Sequence, residues 1–193
     1  LEVVRSADKN CIGIFNTTER DKLEIVCFEV DKMKVLWDKA VVLDDDFFES
    51  NKRAIVLGNK GELSIVSEFN NRKNRAAEHH YRVFTTQGGQ DYLSRIEMVN
   101  ILTTDAFFAY DNLNQRLNCG GLYSDRSTQR VHGAFLWTVQ DGKINIQTDD
   151  FDERFISQVR GKNIDDETKG IPDVEVVDMI FRKDGGAVLF CER

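Results

Sequence analysis

The amino-acid sequence predicts an all-β protein built from repeated antiparallel sheets, like those of a β-propeller, with one short helix near residues 150–160. Three observations lead to this prediction. The apolar runs are short, about four to eight residues each, and turn residues bound them. The 193 residues include 13 phenylalanines and one proline, which suits half-buried strands with free backbone donors. Turn glycines recur along the chain. A β-sandwich is the alternative fold if that recurrence is accidental.

Strand-like runs follow one another in the first part of the chain. They begin at Val3, Cys11, Leu23 and Val35. A hairpin is then predicted, in which residues 54–57 and 63–66 flank a turn that contains glycine and asparagine. A further run covers residues 81–86, and Gly88 ends it.

The second part of the chain contains three more predicted hairpins, at residues 107–123, 131–146 and 176–191. The second of them turns at Asp141-Gly142, and Asp-Gly between two apolar runs is a strong hairpin signal.

One segment has helical rather than strand-like spacing. Acidic residues between positions 150 and 153 would lie in its first turn, where they complement the helix dipole, and Gly161 would end it. Its apolar side chains are Phe151, Phe155, Ile156 and Val159. This spacing predicts a short amphipathic helix.

The turn glycines Gly61, Gly120 and Gly185, with Gly13 preceding the first of them, indicate a repeated hairpin unit, at intervals somewhat longer than the roughly 40 to 50 residues of a propeller blade. We interpret residues 1–193 as a single β-rich domain of three to four blade-like units. Since closed propellers use about four to eight blades, this count predicts a fragment of a larger propeller.

Charge and cysteine spacing disfavour several classes of protein. The net charge of −7 argues against binding to nucleic acid, which needs clustered basic residues, and the basic stretch at 72–75 is interpreted as a solvated loop. The sequence has no apolar run of about 18 residues, so no membrane insertion is predicted.

The four cysteines, Cys11, Cys27, Cys119 and Cys191, form no close pair in the sequence and are interpreted as buried thiols. A Cys11–Cys27 bridge is left open.

No catalytic, cofactor-binding or metal-binding residue is predicted. His79 and His80 would point to opposite faces of a strand, and His132 has no companion motif. The acidic run 44–46 does not have the spacing of an EF-hand loop, so it is interpreted as a solvated turn. The two tryptophans, at positions 37 and 137, are expected to be buried.

Several short motifs occur in order along the chain. They are Val-Leu-Trp at 35–37, Gly-Leu-Tyr-Ser-Asp at 121–125, a glycine-centred strand at 131–135 and Asp-Gly-Gly-Ala-Val-Leu at 184–189. Their succession resembles a group of uncharacterised, exported, β-propeller-like proteins of Bacteroidota, in which phenylalanine usually stands at the position of Leu122. The resemblance implies a propeller scaffold in the periplasm or at the cell surface, and it carries over no catalytic residues.

Two classes of function are therefore expected. The first is a non-catalytic protein-interaction or scaffold module, which binds another protein through the face loops 70–80 and 161–174. The alternative is an envelope glycan-binding protein or a carboxylate-dependent hydrolase, which the acidic composition suggests. A pocket lined by converging carboxylates would favour the second class.

Overall fold

The fold is described by a computed structural model, which covers residues 1–19, 22–43, 52–70, 79–87, 89–99, 101–124, 130–161 and 170–193. Over these residues the chain forms fourteen strands and one helix. The strands are arranged in four antiparallel sheets. The predicted all-β fold of repeated antiparallel sheets, with one short helix near 150–160, is confirmed.

Three of the sheets have four strands each. The first contains β1 (Glu2–Arg5), β2 (Cys11–Glu19), β3 (Lys22–Glu29) and β4 (Lys34–Val42). The second contains β5 (Lys52–Leu57), β6 (Leu63–Asn70), β7 (His79–Gln87) and β8 (Gln90–Glu97). The third contains β9 (Leu102–Asp111), β10 (Arg116–Ser124), β11 (Val131–Gln140) and β12 (Lys143–Asp150). In each, strands consecutive in sequence are hydrogen-bonded neighbours, which is the strand order of a propeller blade.

The fourth sheet has two strands, β13 (Glu175–Phe181) and β14 (Ala187–Glu192). Helix α1 (Glu153–Arg160) precedes it. The helix begins at Glu153, later than the predicted start at Asp150, because Asp152 is its N-cap: the Asp152 side chain accepts a hydrogen bond from the Phe155 backbone N–H at 2.6 Å. It ends at Gly161, which has the left-handed conformation of a helix stop. Asp150, expected in the first helical turn, instead ends β12.

Burial alternates along β3 as expected for a strand with one covered face. Leu23, Ile25 and Cys27 are buried, whereas Glu24 and Val26 between them are exposed. The buried side chains join a core that also contains Leu57, Leu63, Ile65 and Phe84 of the second sheet. The first two sheets therefore pack face to face through apolar side chains.

The described chain divides into two compact units. One comprises Leu1–Glu97 with Tyr110–Leu117, and the other comprises Met98–Ala109 with Asn118–Arg193. The assignment of residues 1–193 to a single domain stays a prediction, as does the prediction that the sheets are part of a larger propeller.

The four glycines on which the repeat was based are not equivalent. Gly61 and Gly185 have the positive φ values of turn residues, but Gly13 and Gly120 lie inside β2 and β10. The interpretation of Gly120 as a turn residue was therefore wrong. A clearer repeat exists in the strands, because β1, β5 and β9 begin at residues 2, 52 and 102.

Gly120 is needed for close packing in the second unit. A Cβ atom at this position would lie 2.5 Å from Leu189 Cδ2 and 2.8 Å from Met179 Sδ. We expect Gly120→Val to lower the free energy of unfolding by about 1–3 kcal/mol, because the added methyl groups overpack this contact. Urea unfolding followed by circular dichroism would measure the loss. Gly186→Val is the matched control, because Gly186 is a half-buried turn residue whose added Cβ would approach no atom closer than Asp184 Oδ1 at 3.2 Å, and an equal effect of the two variants would contradict the explanation.

Candidate functional site

The two-stranded sheet of β13 and β14 is closed by a tight turn. The Arg182 N–H donates to the Gly186 carbonyl at 2.9 Å, and Asp184 Oδ1 accepts from the Gly186 N–H at 3.0 Å. Gly185 has a φ of 86°, which favours glycine. The Asp-Gly-Gly sequence thus forms the predicted turn, and the strand pairing continues to Glu175 and Glu192 with one bulge at Val177.

The two faces of this sheet differ in burial. On one face, Met179 and Leu189 contact the backbone of Gly120. The Val176 N–H on β13 donates to Asp105 Oδ2 at 2.7 Å, which fixes the strand against β9. The opposite face carries Val177, Ile180, Val188 and Phe190, each between 44% and 53% exposed. Four neighbouring apolar side chains on one sheet face are thus left in contact with solvent.

One edge of β14 carries no strand within the described part of the chain. In an antiparallel ladder, hydrogen-bonded pairs alternate with pairs that are not hydrogen-bonded. Arg182 and Gly186 form a hydrogen-bonded pair, so the next residues of β14 that bond to β13 are Val188 and Phe190. The backbone N–H and C=O groups of Ala187, Leu189 and Cys191 therefore point to the free edge.

An apolar cavity of about 440 Å³ lies beside this edge, within the second unit. Helix α1 covers one side of it, and Phe155 and Val159 remain 44% and 40% exposed because they line the open space. At the rim, Arg193 Nη1 donates to the Val159 carbonyl at 3.1 Å. The other lining residues are Leu122, Ala134, Phe151, Ile171, Val174, Leu189, Cys191 and Glu192. Cavities of this size and apolarity are typical of binding sites.

Cys191 in the wall of the cavity is an exposed free thiol, whereas Cys11, Cys27 and Cys119 are buried and free. The interpretation of all four cysteines as buried was therefore wrong for Cys191. The Cys11–Cys27 bridge, which was left open, is not formed. Although the Cys191 residue is exposed, partial burial of its sulfur in the cavity wall, and then the negative charge of Asp105, raise the pKa of Cys191. Burial, and then its neighbour Cys11, raise the pKa of Cys27 to about 12.

The exposure of Cys191 leads to a labelling prediction. We expect one thiol to react rapidly with a disulfide reagent in the native protein at pH 8, and all four to react after unfolding. Because the pKa of Cys191 is raised, less thiolate is present at pH 8 than in a free cysteine peptide. Its reaction should be slower than that of the peptide, and it should accelerate as the pH rises. The rapid phase should disappear in Cys191→Ser, and its persistence there would contradict the assignment.

A second cavity, of about 450 Å³, lies in the first unit. Trp37 is half-buried in its wall, and the indole Nε1 donates to the Gly61 carbonyl at 3.0 Å. Glu62 is the one carboxylate among the described lining residues, and its Oε2 accepts the Lys60 N–H at 3.0 Å. This cavity offers no pair of converging carboxylates, so it does not favour the hydrolase alternative. The other tryptophan, Trp137, is fully buried.

A smaller cavity of about 380 Å³, in the second unit, has Asp105, Asp173 and Glu175 in its wall. Both oxygens of Asp105 are used by backbone donors, since Oδ1 accepts the Ala106 N–H at 2.9 Å and Oδ2 accepts that of Val176. Asp105 therefore has a structural role. Among the residues whose placement is described, no group of three or more acidic, histidine or cysteine side chains could hold a metal ion.

The histidines are placed as follows. His79 and His80 are both buried in β7. His79 Nε2 lies 3.0 Å from Glu68 Oε1, and the ring of His80 stacks on Phe69 with centroids 4.9 Å apart. His132 is half-buried in β11. These contacts are those of packed sheet residues.

Three of the sequence-based predictions lie wholly or mainly outside the described residues. They are the acidic run at 44–46, the basic stretch at 72–75, and the face loops 70–80 and 161–174, since residues 44–50, 71–78 and 162–169 are not described. Neither the free edge of β14 nor the cavity beside it was predicted from the sequence. The one feature of the sequence that indicates an unprotected sheet edge is the apolar composition of β14, which lacks lysine and proline.

No family model matches the chain, and no match was found among curated proteins or solved structures. Across the described residues, none of the helical structure is long and apolar enough to cross a membrane.

Proposed function

We propose that this chain is a non-catalytic protein-interaction module whose fourth sheet accepts a β-strand from a partner protein. The observation that carries the proposal is the exposed apolar face of this sheet, which consists of Val177, Ile180, Val188 and Phe190, together with the apolar cavity beside β14. Proteins with an accessible sheet edge bind extended peptides by adding them as a further strand.

The composition of β14 also supports this proposal. Soluble proteins protect sheet edges with lysine, proline or bulges, because an open edge pairs with other chains. The sequence of β14 is Ala-Val-Leu-Phe-Cys-Glu, which contains neither lysine nor proline, and the bulge of this sheet lies on β13. The free edge is therefore suited to pairing.

Two proline variants test the proposal. The Ala187 N–H points to the free edge, so Ala187→Pro should spare the sheet but remove one donor from the incoming strand. Val188→Pro should disrupt the hairpin itself, because the Val188 N–H bonds to β13. As the probe we would use a synthetic peptide of the sequence of β11, Val131–Gln140, which is a third strand without cysteine.

We expect the peptide to slow amide hydrogen exchange at Ala187, Leu189 and Cys191 in the wild-type chain. Ala187→Pro should weaken this binding about tenfold, which corresponds to one lost hydrogen bond of roughly 1.4 kcal/mol. Its circular dichroism spectrum should remain unchanged. Protection elsewhere in the chain, or equal binding by Ala187→Pro, would rule out strand addition at β14.

We further propose, from the motifs at 121–125 and 184–189, that the protein is exported and related to the propeller-like proteins of Bacteroidota. In support, the second motif forms the turn and the first half of β14, which are the parts of the chain that shape the free edge. Fractionation of the source cells, with antibody against the chain, tests the location. Recovery in the cytoplasmic fraction alone would contradict it.

A further inference from the structure

We propose that the cavity of the first unit binds carbohydrate. Trp37 is the aromatic surface on which a sugar ring packs, and Glu62 and Lys60 bind its hydroxyl groups. The cavity measures about 450 Å³, which is within the range of small-molecule sites. Its described lining residues all lie between Leu36 and Gly89, so the fourth sheet does not contribute to it. Carbohydrate binding is therefore a second function, and it does not rest on strand addition at β14.

A β-bulge shapes the apolar wall of this cavity. Cys27 on β3 pairs with Trp37 on β4. The next residue of β3 pairs with Val35, so Leu36 is an extra residue of β4. In a regular strand, two neighbouring side chains point to opposite faces. Because bulges redirect side chains, Leu36 and Trp37 both line the cavity, and both also pack against the core of the first two sheets.

The indole ring of Trp37 is held by its polar edge. Its Nε1 donates to the Gly61 carbonyl oxygen at 3.0 Å. A Cβ atom at Gly61 would lie 3.3 Å from this nitrogen and 3.0 Å from Leu36 Cδ1, so a glycine here lets the turn approach the ring. The indole has one donor, and this bond uses it. The half-buried ring thus presents an apolar surface, against which the C–H groups of a sugar ring pack.

Glu62 places a carboxylate in the wall of the same cavity. The residue is 8% exposed, and its Oε2 accepts the Lys60 backbone N–H at 3.0 Å. Over the described residues this is the one hydrogen bond to the carboxylate, and Glu62 forms no ion pair with them. A carboxylate accepts about four hydrogen bonds, and buried polar groups are seldom left with so few. Sugar hydroxyl groups in the cavity would donate the missing bonds.

The charges around the cavity are balanced, which favours a neutral ligand. Lys39 Nζ donates to Thr86 Oγ1 at 3.4 Å and forms an ion pair with Asp91. The second lysine of the lining, Lys60, is exposed and lines the cavity together with Glu62. An anionic ligand would meet the Glu62 carboxylate, and a cationic ligand would meet the Lys60 ammonium group. A neutral molecule with an apolar face and several hydroxyl groups suits this lining, and a carbohydrate has that chemistry.

Nuclear magnetic resonance of the 193-residue chain tests this site. The chain has two tryptophans, so its N–H spectrum contains two indole signals, and the signal lost in Trp37→Phe belongs to Trp37. The neutral probes are glucose, maltose, cellobiose, lactose and diacetylchitobiose. Each is added to about 10 mM, which detects a dissociation constant of about 1 mM. Glucuronic acid and glucosamine are the charged counterparts of glucose.

We expect at least one neutral disaccharide to shift the Trp37 signal in a saturable way and to leave the Trp137 signal in place. Trp137 is fully buried, so no sugar reaches it. Glucuronic acid and glucosamine should both bind more weakly than glucose, because each adds a charge that the lining opposes.

Two variants of the lining and one control follow the same titration. Glu62→Gln keeps the shape of the side chain but removes its charge, so it should weaken binding of the disaccharide about tenfold. Lys60→Ala removes a donor from an exposed position and should weaken binding about threefold. Glu24→Gln makes the same change of charge on the exposed face of β3 and should leave the affinity unchanged. Two lining variants are used so that a folding defect in one does not decide the result.

Three results would overturn carbohydrate binding as described. If none of the probes shifts the Trp37 signal, the cavity is not a carbohydrate site. If a charged sugar binds more tightly than glucose, the class of ligand is wrong. If Glu62→Gln and Lys60→Ala both bind the disaccharide as tightly as the wild-type chain, the residues assigned to its hydroxyl groups are wrong. Strand addition at β14 is unaffected by any of these results, since none of the probes is a peptide.

Discussion

Replacement of Asp111 by alanine is expected to lower the free energy of unfolding by about 3–5 kcal/mol. The Asp111 side chain is fully buried, and its Oδ1 accepts the backbone N–H groups of Leu113 and Asn114 at 3.0 and 3.1 Å. Its Oδ2 accepts from Asn114 Nδ2 at 2.7 Å and lies 3.6 Å from Arg116 Nε. Alanine would remove the negative charge that faces a largely buried guanidinium, together with the acceptor of two turn donors.

Urea unfolding measures this loss, and the matched control is Asp184→Ala. Asp184 accepts a backbone N–H in the turn between β13 and β14 and pairs with Arg182, but it is exposed. The hydrogen bond from the Gly186 N–H, and then the charge of Arg182, lower the pKa of Asp184. Because solvent screens exposed charges, Asp184→Ala should change stability little. Equal effects of the two substitutions would show that burial of the Asp111 carboxylate is not the cause.

Trp137→Ala is expected to cost about 3–5 kcal/mol, which is the range found for deleting a buried large aromatic side chain. Trp137 is fully buried on β11, and its ring lies 5.9 Å from that of Phe108. The cavity left behind should not collapse completely, because the neighbouring strands are held by their ladder hydrogen bonds.

The other tryptophan provides the control. Trp37 is half-buried and lines an open cavity, so Trp37→Ala should be clearly less destabilising. Because the tryptophan that each variant retains lies in the other unit, urea unfolding of both variants is followed by circular dichroism. A loss for Trp37→Ala as large as that for Trp137→Ala would contradict the assigned difference in burial.

The hairpins were predictable because their turns are encoded locally. Asp141 and Gly142 have φ values of 49° and 72°, the left-handed conformations that an Asp-Gly hairpin turn requires.

Strand β8 was not predicted, and its burial pattern explains why. Leu93 is 64% exposed while its neighbour Ser94 is buried, so apolar and polar residues do not alternate in phase with burial.

The candidate site could not be predicted from such local signals. The spacing of the apolar residues in α1 predicted the helix, but only Ile156 is buried there, and the exposure of Phe155 and Val159 depends on the distant strand β14. Gly120 allows β14 to approach β10, and the sequence distance between them hid that role. The free edge depends on which strands pair, which is a property of the folded chain.

The exposed apolar face of the fourth sheet also has a consequence for the life of the protein in the cell. Contiguous apolar patches in contact with water promote aggregation, and chaperones and proteases remove chains that unfold or aggregate. Any molecule that binds this face stabilises the folded chain by mass action. Under the proposed function, the amount of folded protein should therefore follow the supply of the molecule that covers the face.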